Sequence, residues 1–284
     1  MDDPVSKKIE RAVRFRVGAV RFFNARPLIY GLERDERVEL RREVPARLAA
    51  ALTGGRVDAA LLPSIDYQKA EAQWQILPVP AIGSCGGVVT VRVFSQVPPE
   101  QVEQLYCDTD SHTSVVLAQI LWRGVYGREL AVVPLAGRAE ECASVLLIGD
   151  KVLPQLTGAW GYQLDLGQVW TQWTGLPFLY AFWVVPQEGN YDLLVRILEQ
   201  AHESGMRNLD ALIEQYGPEH GFSREAGRSY FAENIRFGFG QQEQAGLRRF
   251  YELAYEMKLT QRKRELRFYP ERGADLSAGC GAGG

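Results

Sequence analysis

Near its amino terminus the chain contains Val17-Gly-Ala-Val-Arg-Phe-Phe-Asn-Ala-Arg-Pro-Leu-Ile-Tyr-Gly-Leu32. The apolar run at 16–20 predicts a first β-strand, and Pro27 fits the first turn of a following helix, where its missing N–H costs no hydrogen bond. Asn24 then lies in the turn between strand and helix. Because ligands of open α/β sheets bind beyond the carboxyl ends of the strands, this turn is a candidate site. Asn and Pro also occupy ordinary turns, so the stretch alone leaves both interpretations open.

The pattern continues as an alternation of strands and helices. The segments that carry it are the alternating run 38–44, the helix-favouring run 46–52 closed by Gly54-Gly55, and the buried run 57–62. This β-α-β-α-β order predicts a parallel sheet covered by helices. Ser64 and Asp66 follow the third strand and form a second candidate site loop, although a Ser or Asp at this position can equally cap a helix.

A glycine-rich turn comes next, Gly83-Ser-Cys-Gly-Gly87, followed by the β-branched run 88–94. Its glycines let the backbone pass close to a ligand, and a row of exposed N–H groups near Gly86 would suit a carboxylate, with Ser84 adding a hydroxyl. The same residues fit a plain turn into a strand, and they contain no G-x-G-x-x-G or Walker pattern. We also expect the run 88–94 to cross between two lobes.

Polar side chains are densest in Asp108-Thr-Asp-Ser-His-Thr-Ser114, which lies between a short strand and an apolar helix that extends to Trp122. The hydroxyl-bearing residues in it are Thr109, Ser111, Thr113 and Ser114. A helix N-terminus offers free N–H groups and a partial positive charge, so hydroxyls gathered there can bind an anion without a formal cation. One serine would suffice for capping, so the set favours a ligand site. His112 alone is weak evidence for catalysis.

The remaining pattern predicts a two-lobed organisation. A buried strand within 143–153 ends near Asp150, a long strand at 178–185 returns to the first lobe, helices follow from Asn190, and 235–239 is a short strand. We predict an N-terminal extension at 1–13, a first lobe at 14–92 plus 186–272, a second lobe at 93–185 and a disordered tail at 273–284.

Composition limits the classes of function. The chain has 284 residues, 46% of them apolar, and a net charge of −3, with no basic surface pattern for nucleic acid and no apolar run for a membrane. Its three histidines and unpaired cysteine spacing argue against zinc, and we expect no cofactor. The N-terminus lacks a secretory apolar core, which predicts a cytoplasmic protein. The sequence does not indicate an oligomeric state.

Seven stretches, taken in order, resemble the MqnA family, the chorismate dehydratases of the futalosine menaquinone pathway. They are Asn24-Ala-Arg-Pro-Leu28, Val57-Asp-Ala-Ala-Leu-Leu-Pro-Ser-Ile-Asp-Tyr67, Ile82-Gly-Ser-Cys-Gly-Gly-Val88, Asp108-Thr-Asp-Ser-His-Thr-Ser114, Leu146-Leu-Ile-Gly-Asp150, Trp173-Thr-Gly-Leu-Pro-Phe178 and Asn234-Ile235. The resemblance implies a type II periplasmic-binding-protein-like α/β fold, in which each lobe is a mixed sheet flanked by helices and two crossing strands form the hinge.

The resemblance also implies an activity, the dehydration of chorismate to 3-[(1-carboxyvinyl)oxy]benzoate, with a small dianionic substrate and no cofactor. It assigns Asn24 a catalytic role. The substrate-binding residues it implies are Arg26, Ser64, Ser84, Gly86, Thr109, Ser111, Thr113 and Ser114. For the proton acceptor we prefer the substrate's own enolpyruvyl carboxylate, and Asp66, Asp150 and His112 are the alternatives.

Three other functions fit the same fold. One is a solute-binding protein, which would need an export signal. Another is the sister enzyme that makes 1,4-dihydroxy-6-naphthoate, which differs in its site loops. A third is a LysR-type effector domain, which should follow a helix-turn-helix segment that this sequence lacks.

Overall fold

The structure is a computed structural model that describes residues 14–108 and 111–270. The expectations for the N-terminal extension, the tail at 273–284 and Thr109 therefore concern residues outside the described ones. Two β-sheets organise the molecule. The strands of the first lie within residues 15–84 and 178–186, and the strands of the second lie within residues 91–165. No helix within the described residues is both long and apolar enough to cross a bilayer.

The strands are short and numerous. In chain order they are β1 Phe15–Ala19, β2 Val38–Arg42, β3 Ala59–Pro63, β4 Trp74–Ile76, β5 Ile82–Ser84, β6 Val91–Ser95, β7 Gln104–Cys107, β8 Ala131–Pro134, β9 Ser144–Ile148, β10 Tyr162–Asp165 and β11 Phe178–Pro186. The first sheet has the order β2, β1, β3, β11, β4, with β5 also paired to β11. The second has the order β10, β6, β9, β7, β8.

Both sheets are mixed, which confirms the predicted α/β class. β1 pairs in parallel with β2 and β3, as the alternating pattern predicts, and β11 runs antiparallel to β3. In the second sheet β7 pairs in parallel with β8 and β9, while β6 is antiparallel to β9. All five residues of β3 are buried, since this strand lies in the middle of the first sheet with neighbours on both sides.

Helices connect and cover the strands. They are α1 Pro45–Thr53, α2 Ser64–Lys69, α3 His112–Val125, α4 Leu166–Thr174, α5 Asp192–Arg207, α6 Leu209–Tyr216, α7 Arg224–Ser229 and α8 Gln241–Glu256. 3₁₀ helices lie at Phe23–Ile29, Leu32–Arg34, Pro99–Gln101, Ala139–Glu141, Gly149–Gln155 and Pro218–His220. A π-helix, Tyr230–Asn234, continues α7.

Two expectations about local structure are wrong. Pro27 lies inside the 3₁₀ helix Phe23–Ile29 rather than in a first turn, because the chain begins to coil four residues before the proline. Residues 235–239 do not form a strand in the described structure. They contribute one isolated antiparallel bridge, between Gly83 and Arg236, and the Phe237 carbonyl accepts a further hydrogen bond from the Ala81 N–H at 2.9 Å.

The chain crosses between the sheets twice. Residues 85–90 lead from β5 to β6, and α4 leads from β10 back to β11. The predicted long strand at 88–94 begins only at Val91, because Val89 has a left-handed backbone with φ of 66°. The strand predicted at 178–185 is confirmed as β11, and it pairs only within the first sheet. The division into two lobes at the predicted boundaries stays a prediction.

The C-terminal helices pack against the first sheet and its connections. A Cβ on Gly205 of α5 would lie 2.3 Å from the carbonyl oxygen of Pro27, so this glycine brings α5 against the backbone of the 3₁₀ helix Phe23–Ile29. Ser223 caps α7 by accepting a hydrogen bond from the Ala226 N–H. These contacts fix the segment that carries Asn24.

Candidate active site

A cleft of about 80 Å³, partly open to solvent, lies between the two sheets. The carboxyl ends of β1, β3, β7 and β9 meet there, at the edge where ligands of α/β sheets bind. Its lining residues are Val20, Phe22, Asn24, Pro45, Pro63, Ile82, Val88, Thr90, Val91, Ser111, His112, Thr113, Ser114, Ile148, Gly149, Tyr180 and Ala181. Among these described lining residues, only His112 has a side chain that can carry a charge near neutral pH.

Asn24 is the second residue of the 3₁₀ helix that follows β1, and it lines the cleft, as the sequence predicts. The neighbouring Phe23 anchors the segment, since its ring packs against Phe222 and Phe231 with centroids 4.9 Å apart in each case. The Asn24 Oδ1 atom is buried and has no hydrogen-bond partner among the described residues. This end of the amide is therefore available to a ligand.

Tyr230 lies behind Thr90 and was not singled out by the sequence. It is buried, and its hydroxyl lies 2.9 Å from Oγ1 of Thr90, which lines the cleft. Burial raises the pKa of the Tyr230 hydroxyl above its ordinary value, so the group stays protonated and neutral. Tyr230 thus supports the lining residue Thr90 from beneath.

The N-terminus of α3 supplies the polar side of the cleft. Ser111, Thr113 and Ser114 are buried and line it. Ser111 precedes the helix but its side chain caps no backbone N–H, and its Oγ has no partner among the described residues. A buried hydroxyl without a partner is costly, which makes this atom a candidate contact for a ligand. Thr109, predicted to join this group, lies outside the described residues.

Thr113 connects the two sides of the cleft. Its Oγ1 accepts a hydrogen bond from the Ile65 N–H at 3.3 Å and lies 3.5 Å from the Oγ of Ser64. Ser64 is fully buried, is the first residue of α2 and is not part of the lining. The structure therefore places Ser64 behind Thr113, and its predicted contact with a ligand stays a prediction.

The glycine-rich turn differs from the sequence expectation. The Gly83 N–H donates to the Arg236 carbonyl at 2.8 Å, and the Gly86 N–H donates to Thr171 Oγ1 at 2.9 Å. The expected row of free N–H groups is wrong at these positions, because other parts of the protein already use them. Neither Ser84 nor Gly86 lines the cleft; the Ser84 hydroxyl lies 3.2 Å from that of Tyr180, which does.

Asp165 fixes the backbone that follows the glycine-rich turn. This residue is the N-cap of α4, where its carboxylate accepts from the Gly167 and Gln168 N–H groups. The same carboxylate accepts from the N–H groups of Val88 and Val89, at 3.0 Å and 2.7 Å. One buried side chain therefore satisfies donors in two elements and fixes the crossing segment 85–90 to α4. An Asp just before a helix is a capping signal that the sequence carried.

Two histidine–aspartate pairs join elements of the two sheets. Nδ1 of His112 in α3 lies 2.9 Å from a carboxylate oxygen of Asp66 in α2. Nδ1 of His220 lies 2.5 Å from Oδ2 of Asp150, which follows β9. Of the three side chains proposed as proton acceptors, only His112 lines the cleft. Asp66 instead pairs with the imidazole of His112, and Asp150 pairs with that of His220, so each carboxylate joins elements on the two sides of the cleft.

Arg26 does not reach the cleft in the structure. Its guanidinium donates to Glu219 Oε1 at 2.9 Å and lies 3.9 Å from the ring centroid of Tyr216. Desolvation by burial, together with the nearby Arg42, lowers its pKa. The short 3₁₀ helix after β1 turns Arg26 and Asn24 in different directions, so the predicted contact of Arg26 with a ligand has no support in this geometry.

A contact across the cleft closes one side of it. Gly149, at the end of β9, has a left-handed backbone with φ of 60°. A Cβ there would lie 2.9 Å from the ring of Phe22, which follows β1. Glycine therefore lets Phe22 of the first sheet pack directly on the backbone of the second. The sequence singled out neither this contact nor Phe22, although both residues lie in predicted strand-end loops.

Comparison with known proteins bears on this arrangement. A family model described as menaquinone biosynthesis matches residues 15–256. A chorismate dehydratase of Thermus thermophilus is 27% identical over 258 residues, which cover 83% of this chain and 93% of that protein.

Similar solved structures show the fold. A protein from Archaeoglobus fulgidus superposes with a TM-score of 0.69 at 17% identity and covers 88% of this chain and 99% of its own. The periplasmic aliphatic sulphonate-binding protein of Escherichia coli superposes with a TM-score of 0.62 at 14% identity, over 88% of this chain and 94% of its own. The periplasmic-binding-protein-like architecture predicted from the sequence is thereby confirmed.

Proposed function

The chain belongs to the menaquinone-biosynthesis family, and from this membership we propose that it is a carbon–oxygen lyase that dehydrates chorismate to 3-[(1-carboxyvinyl)oxy]benzoate. The relative from Thermus thermophilus that is named for this activity supports the proposal. So does the cleft, whose mainly apolar lining carries the Asn24 amide and the hydroxyls of Ser111, Thr113 and Ser114.

The reaction breaks one C–H bond and one C–O bond of the ring. The carbon that bears the enolpyruvyl ether loses a proton, and its neighbour loses the hydroxyl group. The electron pair of the C–H bond becomes the new ring double bond, and the departing oxygen leaves as water once it has received a proton. Because the ring becomes aromatic, the protein needs mainly to hold the substrate in reactive geometry.

The observation that carries the proposal is a pair of buried, unpartnered polar atoms in one cleft. Asn24 Oδ1 and Ser111 Oγ both belong to lining residues, and neither has a partner among the described residues. They lie on loops after β1 and β7, from opposite sheets, so a ligand between them would satisfy both. The first N–H groups of α3, with Thr113 and Ser114 beside them, suit a carboxylate.

For the proton acceptor we propose the substrate's own enolpyruvyl carboxylate, which reaches the acidic C–H through a six-membered arrangement. His112 is the competing acceptor, because it lines the cleft and Asp66 orients its ring. An amide such as that of Asn24 is too weak a base for this step. The protein then acts by positioning and by stabilising developing charge.

The activity can be tested with purified protein and chorismate. The absorbance of the cyclohexadiene should decay, and chromatography should show 3-[(1-carboxyvinyl)oxy]benzoate. We expect the rate to be unchanged by a chelator. If chorismate binds but is not consumed, the chain is a binding protein. If it neither binds nor reacts, the proposal fails, and the sister activity that makes 1,4-dihydroxy-6-naphthoate is the next one to assay.

The proton acceptor can be tested with His112→Gln. Self-catalysis by the substrate predicts that the variant keeps most of kcat, with changes mainly in KM, and that the pH–rate profile loses no limb near neutral pH. If kcat instead falls by about 10³-fold and the acid-side limb of the pH–rate profile disappears, the imidazole is the acceptor. Asp66→Asn is the matched variant, since it releases the same imidazole without removing it.

A further inference from the structure

Arg26 and Asp150 belong to motif stretches of the sequence, yet neither lines the cleft. Both lie instead on one series of charged side chains. The Arg26 guanidinium donates from Nη2 to Glu219 Oε1 at 2.9 Å, and the same oxygen lies 3.4 Å from Nε2 of His220. On the other side of this imidazole, Nδ1 lies 2.5 Å from Oδ2 of Asp150. The series therefore connects the coil after β1 to the loop after β9.

Glu219 and His220 hold the residues on both sides of Asn24. The ring of Phe23, which precedes Asn24, is stacked on the His220 imidazole with centroids 5.5 Å apart and planes at 27°. Arg26 follows Asn24 by two residues and is bound by Glu219. Arg26 and His220 are 9% and 8% exposed, so water competes little for these contacts. The two adjacent residues thus fix the segment that carries Asn24.

The same imidazole also holds the opposite wall of the cleft. Asp150 follows Gly149, which lines the cleft and contacts the ring of Phe22. A carboxylate accepts hydrogen bonds and does not donate them, so the proton in this contact is on Nδ1 of His220. One side chain therefore contacts both walls, through its ring face on one and through Nδ1 on the other.

The backbone around His220 is built for this contact. The 3₁₀ helix Pro218–His220 ends at Gly221, whose φ of 76° is left-handed. A Cβ on Gly221 would lie 3.4 Å from the Leu153 side chain, which belongs to the 3₁₀ helix Gly149–Gln155. Glycine thus lets the turn that carries His220 pack on the helix that contains Asp150.

We propose that His220 is a positioning residue, which holds Asn24 in register with the loop after β9 through Phe23 on its ring face and Asp150 at Nδ1. This role rests on the proposed function, because the part that Asn24 plays in the reaction comes from it. Arg26 then acts through Glu219 and not on the substrate. Loss of the link to Asp150 should impair the chemical step more than substrate binding, since His220 does not line the cleft.

The contact itself can be tested without activity. The chain has three histidines, His112, His202 and His220, so ¹⁵N-histidine labelling gives three imidazoles, and His220→Asn identifies the signals of His220. In the wild type we expect a proton on Nδ1 that exchanges slowly with solvent. Asp150→Ala should remove this protection, while the His202 signals stay in place. An unprotonated Nδ1 in the wild type, or unchanged His220 signals in Asp150→Ala, would overturn the contact, whatever the substrate is.

Two substitutions separate the contacts of His220. The amide nitrogen of asparagine takes the place of Nδ1, so His220→Asn keeps a donor for Asp150. The amide nitrogen of glutamine takes the place of Nε2, so His220→Gln does not, and both variants lose the ring that stacks on Phe23. We expect kcat with chorismate to be about 10-fold lower in His220→Gln than in His220→Asn, the value of roughly one hydrogen bond, with similar KM and melting temperatures. Equal kcat values would show a packing role only and overturn the proposal.

Asp150→Ala tests the other end of the link. The Asp150 side chain is 36% exposed, so we expect the variant to fold. It should lower kcat by about 10-fold in the wild-type background and cause no further loss in His220→Gln, because the link is already absent there. An unchanged kcat in Asp150→Ala, or an equal loss in both backgrounds, would contradict a role through this contact.

The control is His202→Gln. This imidazole lies in α5, packs on Phe237 with centroids 4.8 Å apart and does not line the cleft. Its replacement should leave kcat unchanged, and a loss equal to that of His220→Gln would show general damage and overturn the proposal. A wild-type protein without chorismate turnover would instead overturn the proposed function, and the imidazole spectra would still decide whether His220 is bound to Asp150.

Discussion

Two polar segments that are alike in the sequence differ in the structure in whether their polar groups already have hydrogen-bond partners. The segment at 108–114 follows the short strand β7, the glycine-rich turn at 83–87 begins within the short strand β5, and each combines small or hydroxyl residues. At the start of α3, Ser111 Oγ is buried without a partner among the described residues. In the turn, the N–H groups of Gly83 and Gly86 are already used, and Asp165 fixes the backbone that follows.

The difference shows that polar composition does not by itself mark a ligand site. A ligand site is marked by buried polar groups that have no hydrogen-bond partner within the fold. Such a group lowers stability, so it is retained only where another interaction compensates for the loss. Asn24 and Ser111 meet this criterion and lie in one cleft. The glycine-rich turn instead serves as a structural joint between β5 and β6. Substitutions on the two sides should therefore change different quantities, activity on one and stability on the other.

The largest effect is expected at Asn24. Asn24→Ala should lower kcat by about 10²–10³-fold, since a hydrogen bond made in the transition state is lost, while the melting temperature stays close to that of the wild type. Steady-state kinetics and thermal denaturation of the same preparation measure both. Near-normal kcat/KM together with a lower melting temperature would assign Asn24 to ordinary turn chemistry and move the catalytic role to the start of α3.

Next comes Asp165, on the structural side. Asp165→Ala removes the acceptor for backbone N–H groups in two elements, so we expect a loss of about 3 kcal/mol in the free energy of unfolding. Urea denaturation measures it. Asp165→Asn keeps one acceptor oxygen and should lose less. If stability were unchanged while KM rose steeply in folded protein, the turn would belong to the binding site and the comparison would fail.

Ser111 can be tested by measuring substrate binding and stability in the same variant. Ser111→Ala should raise KM for chorismate by about 10-fold, because a carboxylate loses one donor, while stability stays equal or increases, because an unsatisfied buried hydroxyl is removed. The matched control is Ser95→Ala, whose buried Oγ donates to the Val97 carbonyl at 2.8 Å. That variant should lose stability and keep KM. Loss of stability in Ser111→Ala would mean that the hydroxyl serves the fold.

The smallest effect is expected at Thr171. Thr171→Val removes the acceptor of the Gly86 N–H and should cost about 1 kcal/mol of stability with KM unchanged. Chemical denaturation and substrate titration suffice to test it. A selective rise in KM would indicate that the orientation of the Gly86 backbone matters for the ligand.

The fold was accessible from the sequence because periodicity and turn residues report local structure. The series β1 to β3, the strand β11 and the last amphipathic helix, α8, follow from such patterns. Errors occur where a distant residue overrides a local preference. The run 88–94 is β-branched, yet its first residues turn because their N–H groups bind Asp165, which lies more than seventy residues later in the chain.

The candidate site was only partly accessible. Strand-end position identified Asn24 and the start of α3, because the carboxyl ends of strands are defined by local sequence. Tyr230 and Phe22 carry no such signal, since an aromatic residue among other aromatics predicts packing and nothing in its neighbourhood predicts which hydroxyl meets Thr90. Arg26 shows the reverse case. The family resemblance implied a substrate contact, but in the structure its guanidinium donates to Glu219.

The contacts that join the two sheets across the cleft also have a kinetic consequence. Phe22 rests on the backbone of Gly149, and the pairs His112–Asp66 and His220–Asp150 fasten the same two halves. Although part of the cleft is open to solvent, we expect entry and exit of a ring-sized ligand to require that these contacts part. Association should then fall below the diffusion limit, and the residence time of the product should reflect the frequency of parting rather than the strength of its own hydrogen bonds. Smaller side chains at position 22 would shorten that residence time.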